Sequence, residues 1–363
     1  MNLDFLRPLY QRPGEYVSVY LDTSRDHEEG VQQAELRWRD ARDRLASEGA
    51  DEATLDAVGA ALAGPTAAGR AVFGQAGRML LTEALPVPPR REIARRALLP
   101  HVMPLLAQRG PHLGYLVVTA RHDGGEITMV GPAGGQLDQE VAGTGWPIHK
   151  TGLGGWSSRR YQNSTEEAWE VNAKELAAQV TAAAARVHAE LIVLGGDTRS
   201  RSLLLDQLGS DLAAITTTID REIASGSAAA AQDAAQVIAD QAALRSRERF
   251  AHWQNQQAQR NGVAGLAATM AALRDGAAAE VLLADHPSSA WTAWIGPGPT
   301  DLAASAAELT DRGVPEPQTD RADAALARAM ATTGAQLYFL PEDVVAPEDG
   351  ICALLRYPVD AVG

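Results

Sequence analysis

The first hundred residues alternate between strand-like and helix-like patterns of apolar positions. The stretch EYVSVYLDTS, from Glu15, alternates apolar and polar side chains as a strand does, and GVQQAELRWRDARDRLASEG then repeats them at helical spacing as far as Gly49. A second helical stretch, short apolar strands, a proline-rich turn and another helix follow. We therefore predict a first domain of mixed α/β type over residues 1–108.

A pattern of short strands begins at Leu113. LGYLVVTA, EITMVG and QLDQEVAG predict three strands joined by turns, which is typical of an antiparallel meander. STEEAWEVNAKELAAQVTAAAARVHA predicts a long helix beginning at Ser164 or Thr165, with acidic residues in its first turn. A buried strand, a glycine turn and a helix in ELIVLGGDTRSRSLLLDQLG would complete a middle domain with a mixed sheet over residues 109–226.

The last third of the chain combines a long alanine-rich helix with alternating helices and strands. GSAAAAQDAAQVIADQAALRSRERFAHWQNQQAQRNG predicts the long helix, which links the middle domain to a third domain. GLAATMAALRDGAAAEVLLADH, RADAALARAMATTGAQLYFL and GICALLRYP then alternate, which indicates a layered α/β sandwich over residues 227–363. The predicted fold class is thus α/β (α+β), in three domains.

Composition and the N-terminal sequence restrict the class of protein. The 363 residues are 45% hydrophobic and 21% charged, as in globular proteins. Asp4 and several prolines interrupt the N-terminus where a signal peptide needs an apolar core, and no run approaches the length of a membrane span, so we expect a cytoplasmic chain without a membrane partner. The single Cys352 and the absence of a histidine pair at metal-ligand spacing lead us to expect no disulfide, metal or other cofactor.

The charge distribution bears on nucleic-acid binding. A formal net charge of -14 argues against sequence-independent coating of DNA or RNA, which needs clustered cations. Local basic patches would still suit a few contacts with ribosomal RNA, and the alternative is that they are solvated surface. The patches are Arg90, Arg91, Arg95 and Arg96, then Lys150, Arg159 and Arg160, then Arg245, Arg247 and Arg249.

Two glycine-rich stretches are candidates for a functional loop. The literal triplet Gly-Gly-Gln at 134–136 lies between two predicted strands, where glycines supply the positive φ of a tight connection. The stretch HKTGLGGWSSRRY at 149–161 precedes the long helix and contains Lys150, Arg159 and Arg160 without any acidic residue. A glycine-rich basic loop suits the approach to a polyanion. The alternative is a flexible surface loop whose tryptophan docks back onto the domain.

The order of these motifs resembles a known family. Three strands, the HKTGLGG loop, SSRRY, a long helix and the LIVLGGD strand and turn are similar to the middle domain of archaeal and eukaryotic class-1 release factors. RERFAHWQNQQAQRNG and the closing GICALLRYP resemble that family's C-terminal domain, so the resemblance covers about residues 113–358. The first domain shows no stop-codon-reading motif. The whole chain is more similar to the bacterial release-factor-like (baeRF) group, which is related to Pelota and includes the hibernation factor Balon.

By alignment to that family, the loop tip is Gly154, Gly155 and Trp156, and the tryptophan replaces an expected glutamine. In a release factor the glycines let amide donors stabilise an oxyanion, and the glutamine helps to position water. Tryptophan has one donor and no acceptor, so it cannot orient water in this way, although it can stack on a base. The resemblance therefore implies binding with weak or absent ester hydrolysis and assigns no catalytic residue. The residues it assigns to contact with the ribosome near the peptidyl-transferase centre are His149, Lys150, Gly152, Gly154, Gly155, Trp156, Arg159 and Arg160.

The resemblance implies a translation factor that contacts the rRNA of the 70S ribosome in a vacant A site, for hibernation under stress or for rescue, with EF-Tu as a further partner. The main alternative is a peptidyl-tRNA hydrolase acting on stalled ribosomes. In it, the backbone amides around Gly154 and Gly155, or a nearby polar side chain such as Ser157 or Gln162, replace the glutamine. A third interpretation is a small-molecule-binding α/β protein with a ligand pocket.

Two further motifs have mainly structural interpretations. The turn LGGD with Asp197 resembles a phosphate-binding turn but lacks the spacing of a P-loop or a dinucleotide motif. Trp291 and Trp294 would form either an exposed contact pair or part of the core.

Overall fold

The computed structural model describes most of the chain. The described residues are 1–24, 30–64, 67–85, 87–109, 113–131, 136–142, 158–220, 228–284 and 291–358, without the side chains of 136, 158–166 and 228–231. They form two compact units, one of residues 1–110 and 246–363 and one of residues 111–245.

The N-terminal part of the first unit is an antiparallel sheet with two helices on one face. Its strands are β1 (Tyr16–Asp22), β2 (Gly69–Gln75), β3 (Arg78–Leu85) and β4 (Ile93–Ala97), in the order β3-β2-β1-β4. Its helices are α1 (Gly30–Ser47), α2 (Glu52–Leu62) and α3 (Met103–Gln108), with a 3-10 helix at Asp4–Tyr10. Val17, Val19 and Leu21 alternate along β1 and form one core with α1 and α2.

The C-terminal part of the first unit contains two further sheets. The first has the order β10-β16-β11-β15 and the second β13-β12-β14. The strands are β10 (Gly262–Ala264), β11 (Ala278–Ala284), β12 (Thr292–Ile295), β13 (Leu302–Ala303), β14 (Gln318–Arg321), β15 (Gln336–Leu340) and β16 (Ile351–Leu355). The helices are α8 (Leu266–Arg274), α9 (Ala306–Asp311) and α10 (Ala322–Thr333), with a 3-10 helix at Glu348–Gly350.

The two ends of the chain share one hydrophobic core. The face of the N-terminal sheet that carries Tyr20 and Phe73 is buried together with Leu326 and Met330 of α10. Met1 also pairs with β15, since its carbonyl accepts a 2.9 Å hydrogen bond from the amide of Leu337. Both faces of the N-terminal sheet are therefore covered, which explains why the two ends of the chain form one compact unit.

The second unit contains a five-stranded mixed sheet. Strands β5 (Tyr115–Arg121), β6 (Gly124–Val130) and β7 (Gln136–Ala142) are antiparallel, and β8 (Leu191–Gly196) and β9 (Thr216–Thr218) join parallel to β5, giving the order β7-β6-β5-β8-β9. The helices are α4 (Ser158–Val187), α5 (Thr198–Gln207), α6 (Ser210–Ala214) and the start of α7 (Ala228–Gln257). α4 packs on one face of the sheet, and Ala234 and Ile238 of α7 pack on the other.

The predicted mixed α/β class is confirmed, including the antiparallel meander β5–β7 and the mixed sheet of the middle region. One predicted boundary is wrong, because α4 begins at Ser158 rather than at Ser164 or Thr165. A capping signature can lie inside a helix when the preceding residues also adopt helical backbone. The domain limits at 108 and 226 stay predictions.

Candidate functional site

The predicted loop lies between two elements of the second unit. Strand β7 ends at Ala142 and helix α4 begins at Ser158, so residues 143–157 connect them. His149, Lys150, Gly152, Gly154, Gly155, Trp156 and Ser157 lie outside the described residues. Arg159, Arg160 and Gln162 belong to the first part of α4, where the backbone alone is described.

The literal Gly-Gly-Gln triplet leads into the sheet. Gln136 is the first residue of β7 and pairs with Val130 of the antiparallel strand β6, whereas 132–135 lie outside the described residues. The glutamine backbone is therefore part of a ladder of hydrogen bonds. This position differs from that of the second candidate, which falls in the connection between β7 and α4.

Helix α4 is held on the sheet by an apolar stripe. Leu176, Val180 and Ala184 recur at helical spacing and are buried in the core that also contains β5, β6 and β8. The helix approaches β6 closely at Gly125, where a Cβ would lie 2.8 Å from Leu176 Cδ2 and 2.5 Å from the carbonyl oxygen of Thr119. Glycine is thus required at 125 for close contact between the helix and the sheet.

A polar anchor precedes this stripe. Asn172 is 2% exposed, and its Nδ2 donates a 2.8 Å hydrogen bond to the carbonyl oxygen of His122 in the β5–β6 turn. The His122 ring stacks on Trp169 of α4, with centroids 4.2 Å apart and an interplanar angle of 15°. The Arg199 guanidinium lies 5.1 Å from the ring centroid of Trp169. The helix is therefore fixed to the β5–β6 turn by both a hydrogen bond and an aromatic contact.

Three polar side chains meet at the C-terminal ends of the parallel strands β5 and β8. Ser200 Oγ lies 3.1 Å from His122 Nδ1, and Asp197 Oδ2 lies 3.7 Å from His122 Nε2. We call His122, Asp197 and Ser200 the end cluster. The sequence does not reveal this serine, histidine and aspartate set, because the three residues come from separate elements.

The end cluster is occupied by local hydrogen bonds. Asp197 caps α5 by accepting from the amides of Arg199 at 3.1 Å and Ser200 at 3.0 Å. Burial alone would raise the pKa of Asp197, but hydrogen bonds from the Ser200 hydroxyl and amide, together with the nearby His122 ring, lower it. Ser200 is 5% exposed. The Asp197 carboxylate thus occupies the backbone amides at the start of α5 that would bind a phosphate. This agrees with the structural interpretation of the LGGD turn.

Most cations of the two remaining predicted patches are paired. Arg245 lies 2.7 Å from Glu190, Arg247 lies 3.0 Å from Asp343, and Arg249 lies 3.6 Å from Glu280. In the N-terminal patch, Arg95 pairs with Asp320 at 3.0 Å and Arg96 pairs with Glu15. These contacts favour the interpretation of solvated surface for both patches, apart from Arg90 and Arg91.

The part of the chain that the structure describes contains no group of three or more histidine, cysteine, aspartate or glutamate side chains that could hold a metal ion. Among the same residues, no helix is long and apolar enough to cross a membrane. Cys352 is buried, and burial raises its thiol pKa to about 12.

Residues 114–259 match the family described as Bacterial archaeo-eukaryotic release factor family 2. Over 372 residues the chain is 30% identical to an uncharacterized protein, Rv2629, of Mycobacterium tuberculosis strain H37Rv, with 98% of this chain and 97% of that protein covered. The uncharacterized protein MT2704 of strain CDC 1551 gives the same values.

Two solved structures are similar at lower identity. Archaeal Pelota, in a model of ribosome-bound Pelota and ABCE1, is 13% identical with 99% of this chain and 95% of that chain covered and a TM-score of 0.40. The archaeal translation termination factor aRF1 is 14% identical with 97% and 96% covered and a TM-score of 0.22. Both TM-scores are below 0.5, and we assign the family from the sequence matches alone.

Proposed function

Because the chain belongs to one protein family with its full-length mycobacterial relatives, and residues 114–259 match Bacterial archaeo-eukaryotic release factor family 2, we propose that it is a ribosome-binding translation factor of release-factor type. It acts in the cytoplasm, occupies the vacant A site of the 70S ribosome, and serves hibernation or rescue. Its loop tip Gly154-Gly155-Trp156 approaches the peptidyl-transferase centre and binds there without hydrolysing peptidyl-tRNA.

The family match over the loop-bearing segment carries this proposal. Residues 114–259 include the meander β5–β7, the connection 143–157 and the whole of α4. The segment therefore brings together the predicted loop and the elements on either side of it.

Positive charge supports a contact with rRNA at the N-terminal end of α4. Lys150, Arg159 and Arg160 lie within eleven residues that contain no acid, in a chain with a net charge of -14. The N-terminal end of a helix is the positive end of its dipole, and α4 is 30 residues long. Each phosphate contact made by such cations releases counterions, so binding should weaken as salt rises.

The side chain at the loop tip decides between binding and hydrolysis. An attacking water must be oriented by an acceptor, and the indole of Trp156 has none. The indole can stack on an RNA base, a contact worth about 1–3 kcal/mol. The replacement of glutamine by tryptophan therefore favours retention of binding and loss of water activation.

Co-sedimentation with 70S ribosomes tests the proposal. We expect the protein to pellet with ribosomes whose A site is vacant and to stay in the supernatant when tRNA fills that site. Reversing the charge of Lys150 in the connection and of Arg159 and Arg160 at the start of α4, in Lys150→Glu, Arg159→Glu and Arg160→Glu, should abolish pelleting. Lys174→Glu with Arg186→Glu changes exposed residues further along α4 and should leave pelleting intact. Equal pelleting with both kinds of ribosome would contradict A-site occupancy.

Further measurements with the same ribosomes test hydrolysis, delivery by EF-Tu, and the choice between hibernation and rescue. Peptidyl-tRNA on the pelleted ribosomes should stay intact with the parent chain, and nascent-chain release by the parent would refute binding without hydrolysis. Added EF-Tu should raise the fraction bound if it delivers the factor. A comparison of idle ribosomes with ribosomes stalled on truncated mRNA separates hibernation from rescue.

A further inference from the structure

A cavity of about 820 Å³ lies within the first unit, between its N-terminal and C-terminal parts. Its walls come from β4 and α3 on the N-terminal side, and from α8, β11 and α10 on the C-terminal side. Pockets that take small ligands are typically about 300–1,000 Å³. The cavity is therefore large enough for a ligand of the size of a nucleotide.

Much of the wall is apolar. Met103, Leu266, Leu283 and Leu326 line the cavity together with the indole of Trp291. Trp291 is 40% exposed, so its indole is accessible to a ligand. A flat aromatic body would find both an apolar wall and a stacking surface here.

The acidic side chains of the wall are already engaged. Glu92 pairs with Arg37 at 3.1 Å, and Asp323 pairs with Arg321 at 2.5 Å. Asp349 accepts a 3.0 Å hydrogen bond from the amide of Leu266. Arg37 and Arg321 thus neutralise Glu92 and Asp323, and only Asp349 leaves a negative charge to set against the other cations of the cavity.

Three cations of the wall have no such partner. Within the described residues, the guanidinium groups of Arg44, Arg90 and Arg91 form no ion pair and no side-chain hydrogen bond, and all three residues are exposed. Arg95, which also lines the cavity, is paired with Asp320 at 3.0 Å. The cavity thus holds an uncompensated positive charge in a chain whose net charge is -14. Guanidinium forks match phosphate oxygens particularly well.

His101 also lines the cavity, but it contributes no charge. Its Nδ1 is buried and has no hydrogen-bond partner, and its Nε2 lies 3.8 Å from Asp323 Oδ2. Burial lowers the pKa of His101 to about 4 despite the opposing effect of Asp323, with Arg321 and Arg95 lowering it further, so the ring is neutral at pH 7. The ring therefore adds no positive charge to the wall of the cavity.

From these observations we propose that the cavity binds a free nucleoside di- or triphosphate, with its base against the apolar wall and Trp291 and its phosphates on Arg44, Arg90 and Arg91. A fatty acid would satisfy the apolar wall, but its single carboxylate would leave two of the three cations uncompensated. A phosphate chain supplies several negative charges, and its base supplies the flat body. This site goes beyond ribosome binding, and its test does not depend on that function.

Isothermal titration of the full chain with ADP and GDP tests the proposal, with tripolyphosphate, adenosine and oleate as comparison ligands. We expect at least one nucleotide to bind, more tightly than tripolyphosphate or adenosine alone. Arg90→Glu with Arg91→Glu should weaken binding by about 10-fold or more, because two phosphate contacts become repulsive. Trp291→Ala should weaken it by about 5- to 150-fold, the range expected for loss of base stacking.

A matched control carries the same change of charge. Arg12→Glu with Arg78→Glu alters two exposed arginines of the N-terminal part that do not line the cavity, and it should leave the nucleotide affinity unchanged. Circular dichroism of each variant checks folding. The proposal would be overturned by failure of both nucleotides to bind at millimolar concentration, by binding of oleate alone, or by nucleotide binding that neither cavity variant weakens.

Discussion

Replacing Gly125 by alanine tests how tightly α4 is seated on the sheet. The new Cβ would lie 2.5 Å from the carbonyl oxygen of Thr119 and 2.8 Å from Leu176 Cδ2, and real Cβ atoms essentially never come within 3.0 Å of other heavy atoms. One contact is with backbone, and the other is with a side chain that is 1% exposed, so neither can move aside without disturbing its neighbours. Overpacking of this kind costs about 1–3 kcal/mol, and two simultaneous contacts place the expected loss near the upper end, at about 2–3 kcal/mol.

Gly131→Ala provides the matched control. Gly131 follows the same strand, and a Cβ there would meet nothing within 4 Å. Both variants reduce the conformational entropy of the unfolded chain by a similar amount, which is worth about 0.4–1 kcal/mol and cancels when they are compared. Urea unfolding followed by circular dichroism should therefore give a free energy of unfolding about 2–3 kcal/mol lower for Gly125→Ala than for Gly131→Ala.

A double-mutant cycle with Leu176 identifies the contact responsible. Leu176→Ala alone should cost about 2–5 kcal/mol, since it leaves a cavity in the core. Combined with Gly125→Ala it should cost clearly less than the sum of the two, because the smaller side chain makes room for the new methyl group. Additive losses would assign the cost to the Thr119 carbonyl rather than to Leu176. Equal stabilities of Gly125→Ala and Gly131→Ala would refute the close approach of α4 to β6.

Three further outcomes follow from single residues. Asn172→Ala should lower the free energy of unfolding by about 1–3 kcal/mol in urea, because the partly buried carbonyl of His122 loses its donor. Hydrogen bonds from Thr54 lower the pKa of Asp51 below its usual 3.8. The contribution of Asp51 to stability is therefore complete above pH 3.8 and is lost as the pH falls through its folded-state pKa. Asp51→Asn keeps the helix cap and should remove this part of the acid sensitivity of the urea midpoint. Cys352, with a buried thiol whose pKa is raised to about 12, should react with a thiol reagent at pH 8 after unfolding in urea and not before; rapid reaction of the folded chain would contradict its burial.

Local patterns predicted much of the fold of the second unit. The alternation that indicated three strands between Leu113 and Gly143 reappears as β5, β6 and β7, and the helical spacing that ends near residue 187 reappears as α4. The predicted start of α4 was wrong because a serine or threonine followed by a glutamate is also compatible with the interior of a helix. Periodicity reports element type more reliably than element boundaries.

The polar clusters could not be predicted in the same way. His122, Asp197 and Ser200 come from a turn, a helix cap and a helix interior, and only the parallel pairing of β5 with β8 brings them together. Similarly, the run of four arginines from Arg90 to Arg96 looks uniform in sequence. Asp320 and Glu15, which are distant along the chain, pair with Arg95 and Arg96, whereas Arg90 and Arg91 form no ion pair among the described residues.

The continuity of α4 bears on how the proposed loop would reach rRNA. The backbone is helical from Ser158 to Val187, whereas the first buried side chain described on the helix is Asn172. At 1.5 Å per residue, about 20 Å of helix separates the start of α4 from this anchor. A charged tip at the end of such a helix can enter a narrow site only if the helix base is held firmly, because a small rotation at the base becomes a large displacement at the tip. Gly125 and Asn172 hold the base of α4, and the proposed binding should therefore depend on them as well as on the charges near the loop tip.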